Sequence, residues 1–564
     1  MQQLIECVPN FSEGRDMEII KQITDEIESV KGIQLVDVDP GKATNRTVVT
    51  FVGEPKPVME AAFMAIKKAS QLIDMRHHKG AHPRFGATDV CPLVPVSGIS
   101  MEETAKMANE LARRVGEELE IPAFCYEAAA NEEKRKNLAN CREGEYEALE
   151  KRLSSTEWKP DYGPATWNHN TAKTGATAIG ARNFLIAYNV NLNTTSVRRA
   201  NSVAFDVRER GRVKKEGDPI TGKVVTDEKG NKVWEPGLLK SVKGIGWFIE
   251  EYGIAQISMN LTDISVTSLH NAFDVTSERA AARGLRVTGS ELVGVVPLEA
   301  MLEAGRYFLK KQRRSTGLPE EEIIRIAVKS MGLDELYPFE PDKKIIEYIL
   351  KDKSIKKLTD RTLKSFADET ASESPAPGGG SIAAYTGALG AALGTMVANL
   401  SAHKRGWDHR WEAFSAEAEK GMHIQQKLLL LVDEDTDAFN KIMDAFSLPK
   451  NNEDEKAART KAIQKATENA TRIPLKVMKT AFESFALLKN MAENGNPNSV
   501  SDAGVGALCA RAAVRGAMLN VLINAGGLAD KTLAGALINE GKAIEEQALN
   551  EEESIMKIVN DKIK

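Results

Sequence analysis

At 564 residues the chain exceeds what one hydrophobic core supports, and three or four compact units are expected. Its 42% hydrophobic, 27% charged and 6% aromatic content excludes a disordered polymer and fits a globular enzyme rich in small aliphatic residues. A net charge of -5 removes any global attraction to nucleic acid or a membrane surface, so an anionic ligand has to meet locally placed Lys, Arg or helix ends.

The chain begins with strand-like Leu4 to Val8, then Pro9 and a polar loop, without the basic and apolar regions of a signal peptide. Cys7, Cys91, Cys125, Cys141 and Cys509 form no C-x-x-C pair and read as reduced thiols, so a cytoplasmic location is expected. Strands are expected over 2–8, 33–39, 46–53 and 90–96. Between the last two, Met59, Ala62, Phe63, Ile66, Ala69 and Ile73 trace one apolar stripe of a helix. With a helix also following the first strand, the order is that of a ferredoxin-like split βαβ unit. A similar order follows Arg182: a strand over 184–191, a helix over 198–210, and strands over 246–250 and 255–260. A helix after Ser265, a strand over 292–296 and a helix over 302–309 complete it.

The expected architecture is therefore multidomain, with two α/β ferredoxin-like lobes, 1–184 and 185–350, and a cleft between them. Residues 213–234 read as a polar hairpin insertion, and the charged 351–359 as a linker. From 360 to 564 the Ala-, Leu- and Lys-rich windows have helical period and predict an all-α bundle. Within it, 374–402 carries no charge. Its Gly, Ala, Ser and Thr content, with Gly390 and Gly394 four apart, favours a buried bundle helix over a membrane span, because small residues contribute little transfer free energy.

Asp74 to Asp89 gathers three of the eight histidines into one Gly- and Pro-bearing loop. Metal ligation, plain surface exposure and general-base chemistry are all open there. His78 and His82 straddle Gly80 just before Pro83, which is not the helical pair of a zinc site, whereas His titrates nearest neutrality. In the bundle, Ile424, Leu428, Leu431, Phe439 and Ile442 form one helical face that Asp435 interrupts, while Asp433 and Asp437 project elsewhere. Periodicity alone leaves Asp435 equally open to a buried ion pair or to a proton-transfer role with a raised pKa. Gly378, Gly379, Gly380 and Ser381 open the uncharged helix. The triplet exceeds what a cap needs and suggests backbone N–H groups approaching a carboxylate or phosphate. The polar loop 494–502 is read as lining the same pocket. No Gly-Lys-Ser/Thr stands at P-loop spacing.

Several of these segments together, ECVPNFSEG at 6–14, NRT at 45–47 and HKGAHPR at 78–84, resemble glutamate formiminotransferase. GEYEAL at 144–149, KGIGW at 243–247 and APGGGS at 376–381 extend the resemblance to the bifunctional formiminotransferase-cyclodeaminase arrangement over nearly the whole chain. The resemblance implies His82 as the transferase's catalytic base and Asp435 as the cyclodeaminase's catalytic acid, with no metal. It implies folate contacts at Gly163, Pro164, Ala165, Thr166, Trp167, Lys173, Thr174 and Gly175. It implies a second set at Gly237, Leu238, Leu239, Lys240, Ser241, Val242, Lys243, Gly244, Ile245 and Gly246. Glycines there permit close backbone approach, and Lys240 and Lys243 suit a glutamyl carboxylate. The first segment is slightly longer than the form found in animal enzymes.

The implied activity moves a formimino group from formiminoglutamate to tetrahydrofolate, releasing glutamate, and then closes the 5,10-methenyl bridge with loss of ammonia, as a late step of histidine breakdown. Tetrahydrofolate, polyglutamylated or not, is a cosubstrate and no tightly bound cofactor is expected. A homo-oligomer without nucleic-acid or membrane partners is implied. Two rivals stand beside this reading. A nucleic-acid-binding module shares the split βαβ pattern but needs clustered aromatics and a basic surface. The other is a one-activity enzyme whose helical half serves as an assembly scaffold.

Overall fold

A computed structural model describes residues 3–42, 45–80, 84–219, 221–351 and 357–564. The chain divides into two compact units, Met1–Ala304 with Val328–Lys351, and Gly305–Ala327 with Asp352–Lys564.

In the first unit, β1 (Leu4–Cys7) and β2 (Asn10–Phe11) are one strand broken at Pro9. They are followed by α1 (Met17–Glu28), β3 (Ile33–Gly41), β4 (Arg46–Gly53), α2 (Pro55–Leu72) and β5 (Thr88–Ser97). Asp16 caps α1 by accepting from the N–H groups of Glu18 and Ile19, and Pro55 opens α2, where its missing N–H costs nothing. The strands pair antiparallel in the order β3-β4-β1/β2-β5, which is the ferredoxin-like arrangement. The chain continues through α3 (Met101–Glu118), β6 (Ala123–Glu127), the short helices α4 (Leu138–Cys141), α5 (Leu149–Leu153) and α6 (His169–Thr174), and β7 (Thr177–Ala181). β7 pairs parallel with both β5 and β6 and widens the sheet. Ile5, Cys7, Phe51 and Leu93 on one face bury against Ile23, Ile27, Ile66 and Leu111 of the helices.

The second lobe holds β8 (Ile186–Leu192), α7 (Val197–Val207), β9 (Arg212–Val213), β10 (Trp234–Glu235), β11 (Val242–Ile249), β12 (Ile254–Leu261), α8 (Leu269–Ala281) and β13 (Val287–Val293). Its sheet runs β11-β12-β8-β13, the same order as the first lobe's four leading strands. β9 and β10 pair at the base of the insertion, of which Ile220 lies outside the described residues. The last strand starts five residues before the expected 292–296. Thr288, Gly289, Ser290 and Glu291 hide its apolar signal, because Ser290 is buried through a hydroxyl bond of 2.7 Å to Met331 O. Then come α9 (Leu298–Lys311), α10 (Glu320–Met331), α11 (Pro341–Lys344) and α12 (Ile346–Ile349).

The second unit comprises α13 (Leu363–Thr370), α14 (Gly379–Ala402), α15 (Trp411–Ser447), α16 (Glu453–Asn494), α17 (Val500–Gly526) and α18 (Lys531–Ile563). Residues 352–356 of the expected linker lie outside the described residues. Two stretches, Gly379–Ala402 and Pro497–Gly526, are long and apolar enough to cross a membrane by length and composition. α14 is nonetheless a core helix of the bundle, with Ala384, Ala391, Val397 and Ala398 fully buried. Its glycines let helices touch: a Cβ on Gly390 would stand 2.9 Å from Gly506 O of α17.

Pro474 interrupts α16 and deprives Ala470 O of its helical donor, and Asn524 of α17 supplies one from Nδ2 at 2.7 Å. Gly305–Ala327 joins this unit through a short polar contact. Thr316 N donates to Ser415 Oγ at 3.0 Å, and Asn399 Nδ2 donates to Gly317 O at 2.8 Å, with Ser315 fully buried.

Candidate active sites

In the first lobe the strand pairing brings three of the singled-out segments into contact. Asn10 sits opposite Val48 of β4 and Val90 of β5. Its Oδ1 accepts from Arg46 Nε at 3.0 Å and Nη2 at 2.8 Å. Arg46 also pairs with Asp89, which is fully buried and holds Arg142 at 3.0 Å. Asn45 accepts from Gly14 N and donates to Lys79 O, both at 3.0 Å. His78 is buried, with Nε2 2.7 Å from Asn45 O. It is therefore a structural member of this network. His82 lies outside the described residues, together with Ala81 and Pro83.

The first expected folate segment packs directly against the chain on either side of His82. Met75 N donates to Lys173 O at 2.8 Å, Ala87 N to Thr174 O at 2.7 Å and Lys173 Nζ to Gln71 O at 2.8 Å. Arg84 donates to Met75 O and His78 O, pairs with Glu147 at 2.6 Å and lies over the Tyr146 ring. Tyr146 in turn meets Trp167 and donates to Ala172 O at 2.6 Å. A chain of contacts thus runs from Arg84 to Trp167. Gly163 and Gly175 have positive φ, and a Cβ on either would stand 2.5 Å from a carbonyl oxygen, of Ile121 and Phe85 respectively. Both glycines admit backbone to backbone. Pro164, Ala165 and Thr166 form the loop between Gly163 and Trp167.

The second segment runs along the edge strand β11. Leu239, Val242 and Gly246 face inward, whereas Leu238, Lys240, Lys243 and Ile245 are exposed. Gly237 is required because Arg208 O occupies the place of its Cβ, and Gly246 because Asn201 N and Ala200 do, while a Cβ on Gly244 would meet only ordinary contacts with Met259 and Arg208. Ser241, at positive φ, is held by its N–H on Glu209 Oε2 at 2.9 Å. Lys243 lies close enough to Glu127, at the end of β6, to act on its charge across the two lobes. Burial raises Glu127 above the ordinary carboxylate range, against the pull of Arg182 and Lys243. Glu6, on β1, is pushed up to about 7 by burial, with Arg182 opposing.

In the helical unit Asp435 is partly buried, as the periodicity requires. No ion pair forms to it among the described residues. Its Oδ2 accepts from Ser381 Oγ at 3.0 Å, and the carboxyl also bonds the Ser381 backbone N–H. Burial raises its pKa above the ordinary 3.8, and these two bonds temper the rise. Of the groups at the start of α14, the Ser381 N–H is taken by Asp435 itself, while Gly378, Gly379 and Gly380 line the space beside the carboxyl. Gly380 leaves the room, since a Cβ there would stand 2.6 Å from the carboxyl carbon. Asp433 turns away to accept from Leu358 N at 2.8 Å.

Around Asp435 lies a cavity of about 110 Å³ whose walls include Gly378, Gly379, Gly380, Thr436, Phe439, Ile442, Asn520 and Asn524. Each asparagine spends its Nδ2 on a helix carbonyl, Gly516 O at 3.0 Å and Ala470 O at 2.7 Å. The sequence reading missed both. Two carboxamides four residues apart on a helix, opposite a proline-interrupted helix, were the available signal. The 494–502 loop is also corrected: Asn496 N donates to Ser401 Oγ at the C-terminal end of α14. That end stands about 30 Å along the helix from Ser381.

Residues 4–182 match the formiminotransferase domain, N-terminal subdomain; 187–351 match the formiminotransferase domain; and 362–543 match the formiminotransferase-cyclodeaminase family. The chain is 43% identical over 531 residues to the formimidoyltransferase-cyclodeaminase of Rattus norvegicus, covering 94% of each. The glutamate formimidoyltransferase of Thermoplasma acidophilum is 39% identical over 309 residues, 54% of this chain and 92% of its own. The methenyltetrahydrofolate cyclohydrolase of Methylorubrum extorquens is 42% identical over 192 residues, 34% of this chain and 92% of its own.

Proposed function

Since the chain belongs to the formiminotransferase-cyclodeaminase family, we infer that its two kinds of domain catalyse consecutive reactions on one folate-borne carbon. The α/β lobes transfer the formimino group of N-formimino-L-glutamate to tetrahydrofolate, and the helical unit closes it to 5,10-methenyltetrahydrofolate with release of ammonia.

In the transfer, the secondary amine of the pterin attacks the formimino carbon and gives up its proton. His82 takes this proton and returns it to the departing glutamate nitrogen, so that the tetrahedral adduct collapses forwards. Supporting this role is the contact chain that ties Arg84, two residues on, to Tyr146 and Trp167. In the ring closure, the anilino nitrogen attacks the same carbon and loses its proton, and the former imino nitrogen leaves as ammonia. The observation that carries this assignment is Asp435: a carboxyl raised by burial, held by Ser381 and opening into a cavity. A carboxyl so placed protonates the leaving nitrogen.

The test follows glutamate release and the ultraviolet band of the methenyl product separately, starting from formiminoglutamate and tetrahydrofolate. Asp435→Asn should release glutamate normally and accumulate formimino-folate. Formation of the methenyl product at the unaltered rate would make Asp435 structural. The rival in which the helical half is a scaffold predicts that the parent itself accumulates formimino-folate and that Asp435→Asn changes nothing.

The similarity to the M. extorquens cyclohydrolase favours a second chemistry in the same cavity, hydrolysis of the methenyl bridge by water. Loss of the methenyl band on adding protein to the preformed compound tests it. A formiminoglutamate substrate supports a place in histidine breakdown. Five unpaired cysteines support a cytoplasmic setting. Assembly with further copies is supported by the exposed apolar side chains of α17, Leu519 at 65% and Ile523 at 76% exposure. Sedimentation of Ile523→Asp checks that assembly.

A further inference from the structure

The cavity around Asp435 is too small for its cosubstrate. About 110 Å³ accepts the reacting carbon and its nitrogens, whereas pockets for drug-sized ligands run from roughly 300 to 1,000 Å³. Most of the folate must lie elsewhere along the helices. One turn further on, between α15 and α16, is a groove of about 530 Å³. The two spaces are neighbours on both helices: Ile442 and Ala470 line the first, Ala445 and Ala466 the second. On α15 Asp435, Phe439 and Ile442 share one face, and Ala445 stands about 15 Å along the helix from Asp435.

The groove's chemistry differs from that of the acid cavity. Ala445, Ala462 and Ala466 give a low apolar floor that admits a flat ring, and Leu448 adds apolar surface beside it. Lys441 and Lys465 stand at its walls, and neither forms an ion pair among the described residues. Asp444 leaves the groove a net single positive charge. An aromatic amide ending in carboxylates fits both features, the ring against the alanines and the carboxylates towards the lysines.

We propose that this α15–α16 groove binds the p-aminobenzoylglutamate arm of the folate, presenting the formimino carbon to Asp435. The proposal rests on the ring-closing role of the Asp435 cavity. It makes Lys441 and Lys465 specificity-determining residues for the glutamyl carboxylates and the alanine floor a seat for the benzoyl ring.

The test uses full-length protein, supplied formimino-folate, and p-aminobenzoylglutamate and p-aminobenzoate as competing probes. Reversing both charges, Lys441→Glu with Lys465→Glu, should raise the KM of ring closure about tenfold or more, because like charges then face the carboxylates. Inhibition by p-aminobenzoylglutamate should weaken by a similar factor, and inhibition by p-aminobenzoate, which lacks the glutamyl carboxylates, much less. Ala466→Phe, which fills the floor without changing charge, should weaken both probes. Unchanged KM and unchanged inhibition in both variants overturn the proposal. Should Asp435→Asn close the ring normally, the catalytic reading fails instead, and titration of p-aminobenzoylglutamate against the same variants by calorimetry still decides the groove.

Discussion

Gly380→Ala separates catalysis from folding at one position. The backbone there is helical and free of positive φ, so alanine is tolerated locally and, by helix propensity, should stabilise α14 by about 0.5–1 kcal/mol. The new methyl nevertheless stands 2.6 Å from both the carboxyl carbon and Oδ2 of Asp435. Ordinary contact requires roughly 1 Å more, and a displacement of that size loses the 3.0 Å bond from Ser381 Oγ and moves the acid relative to the reacting carbon. Misplacement by about 1 Å commonly costs about 100-fold in rate. The expected outcome is therefore a protein with native helical dichroism, unimpaired glutamate release and ring closure slowed about 100-fold. Stopped-flow observation of the methenyl band against a parallel glutamate assay reads both. Normal ring closure in Gly380→Ala would refute the view that Asp435 acts from this position.

His82→Ala should slow glutamate release by about two or more orders of magnitude while ring closure on supplied formimino-folate persists; equal loss of both would indicate misfolding instead. Glu6→Gln addresses the buried carboxyl of the first lobe. Folding raises Glu6 from an ordinary 4.5 to about 7, so the folded state holds the proton more tightly. Its stability contribution is full below 4.5 and lost as pH rises through 7, by about 3 kcal/mol. The glutamine variant should accordingly melt higher than the parent at pH 8 and no higher at pH 4.5, and parallel melting curves would exclude the effect. A helical fragment beginning at residue 360 lacks Gly305–Ala327, leaving Ser415 without its Thr316 contact. It should fold with a lowered Tm that rises on adding a peptide of residues 305–327, and an unresponsive Tm would count against that packing.

Both ferredoxin-like lobes were legible because their strands alternate and their helices carry a single apolar stripe, as in Met59 to Ala69 of α2. Two strands depart from this: β11 begins at Val242, four residues before the expected 246, and β13 buries Ser290 through a hydrogen bond, which hydropathy cannot register. Asp435 was legible for the converse reason, a charge placed where the period demands an apolar residue. What it would touch was not. The Gly378–Gly380 triplet with Ser381 promises open N–H groups, and only the crossing of α14 and α15 hands one of them, that of Ser381, to Asp435. Glycines at 237 and 246 look like ligand clearance in sequence, yet each clears a path for backbone around α7. Asn520 and Asn524 stayed hidden because α17 is so rich in small residues that no stripe marks its inner face.

The excursion of Gly305–Ala327 into the helical unit also sets an order of events during synthesis. Thr316 and its partner Ser415 are 99 residues apart. A ribosome adding about 5–20 residues per second delivers the partner roughly 5–20 s after the segment has emerged. For that interval Ser315 and Thr316, both buried in the finished protein, face solvent or a chaperone. Val328–Lys351, which returns to the first unit, emerges before the segment's own partner does. The α/β unit can thus complete its chain while the loop through residue 316 still waits, and a translational pause before residue 415 would lengthen that exposure without touching either active site.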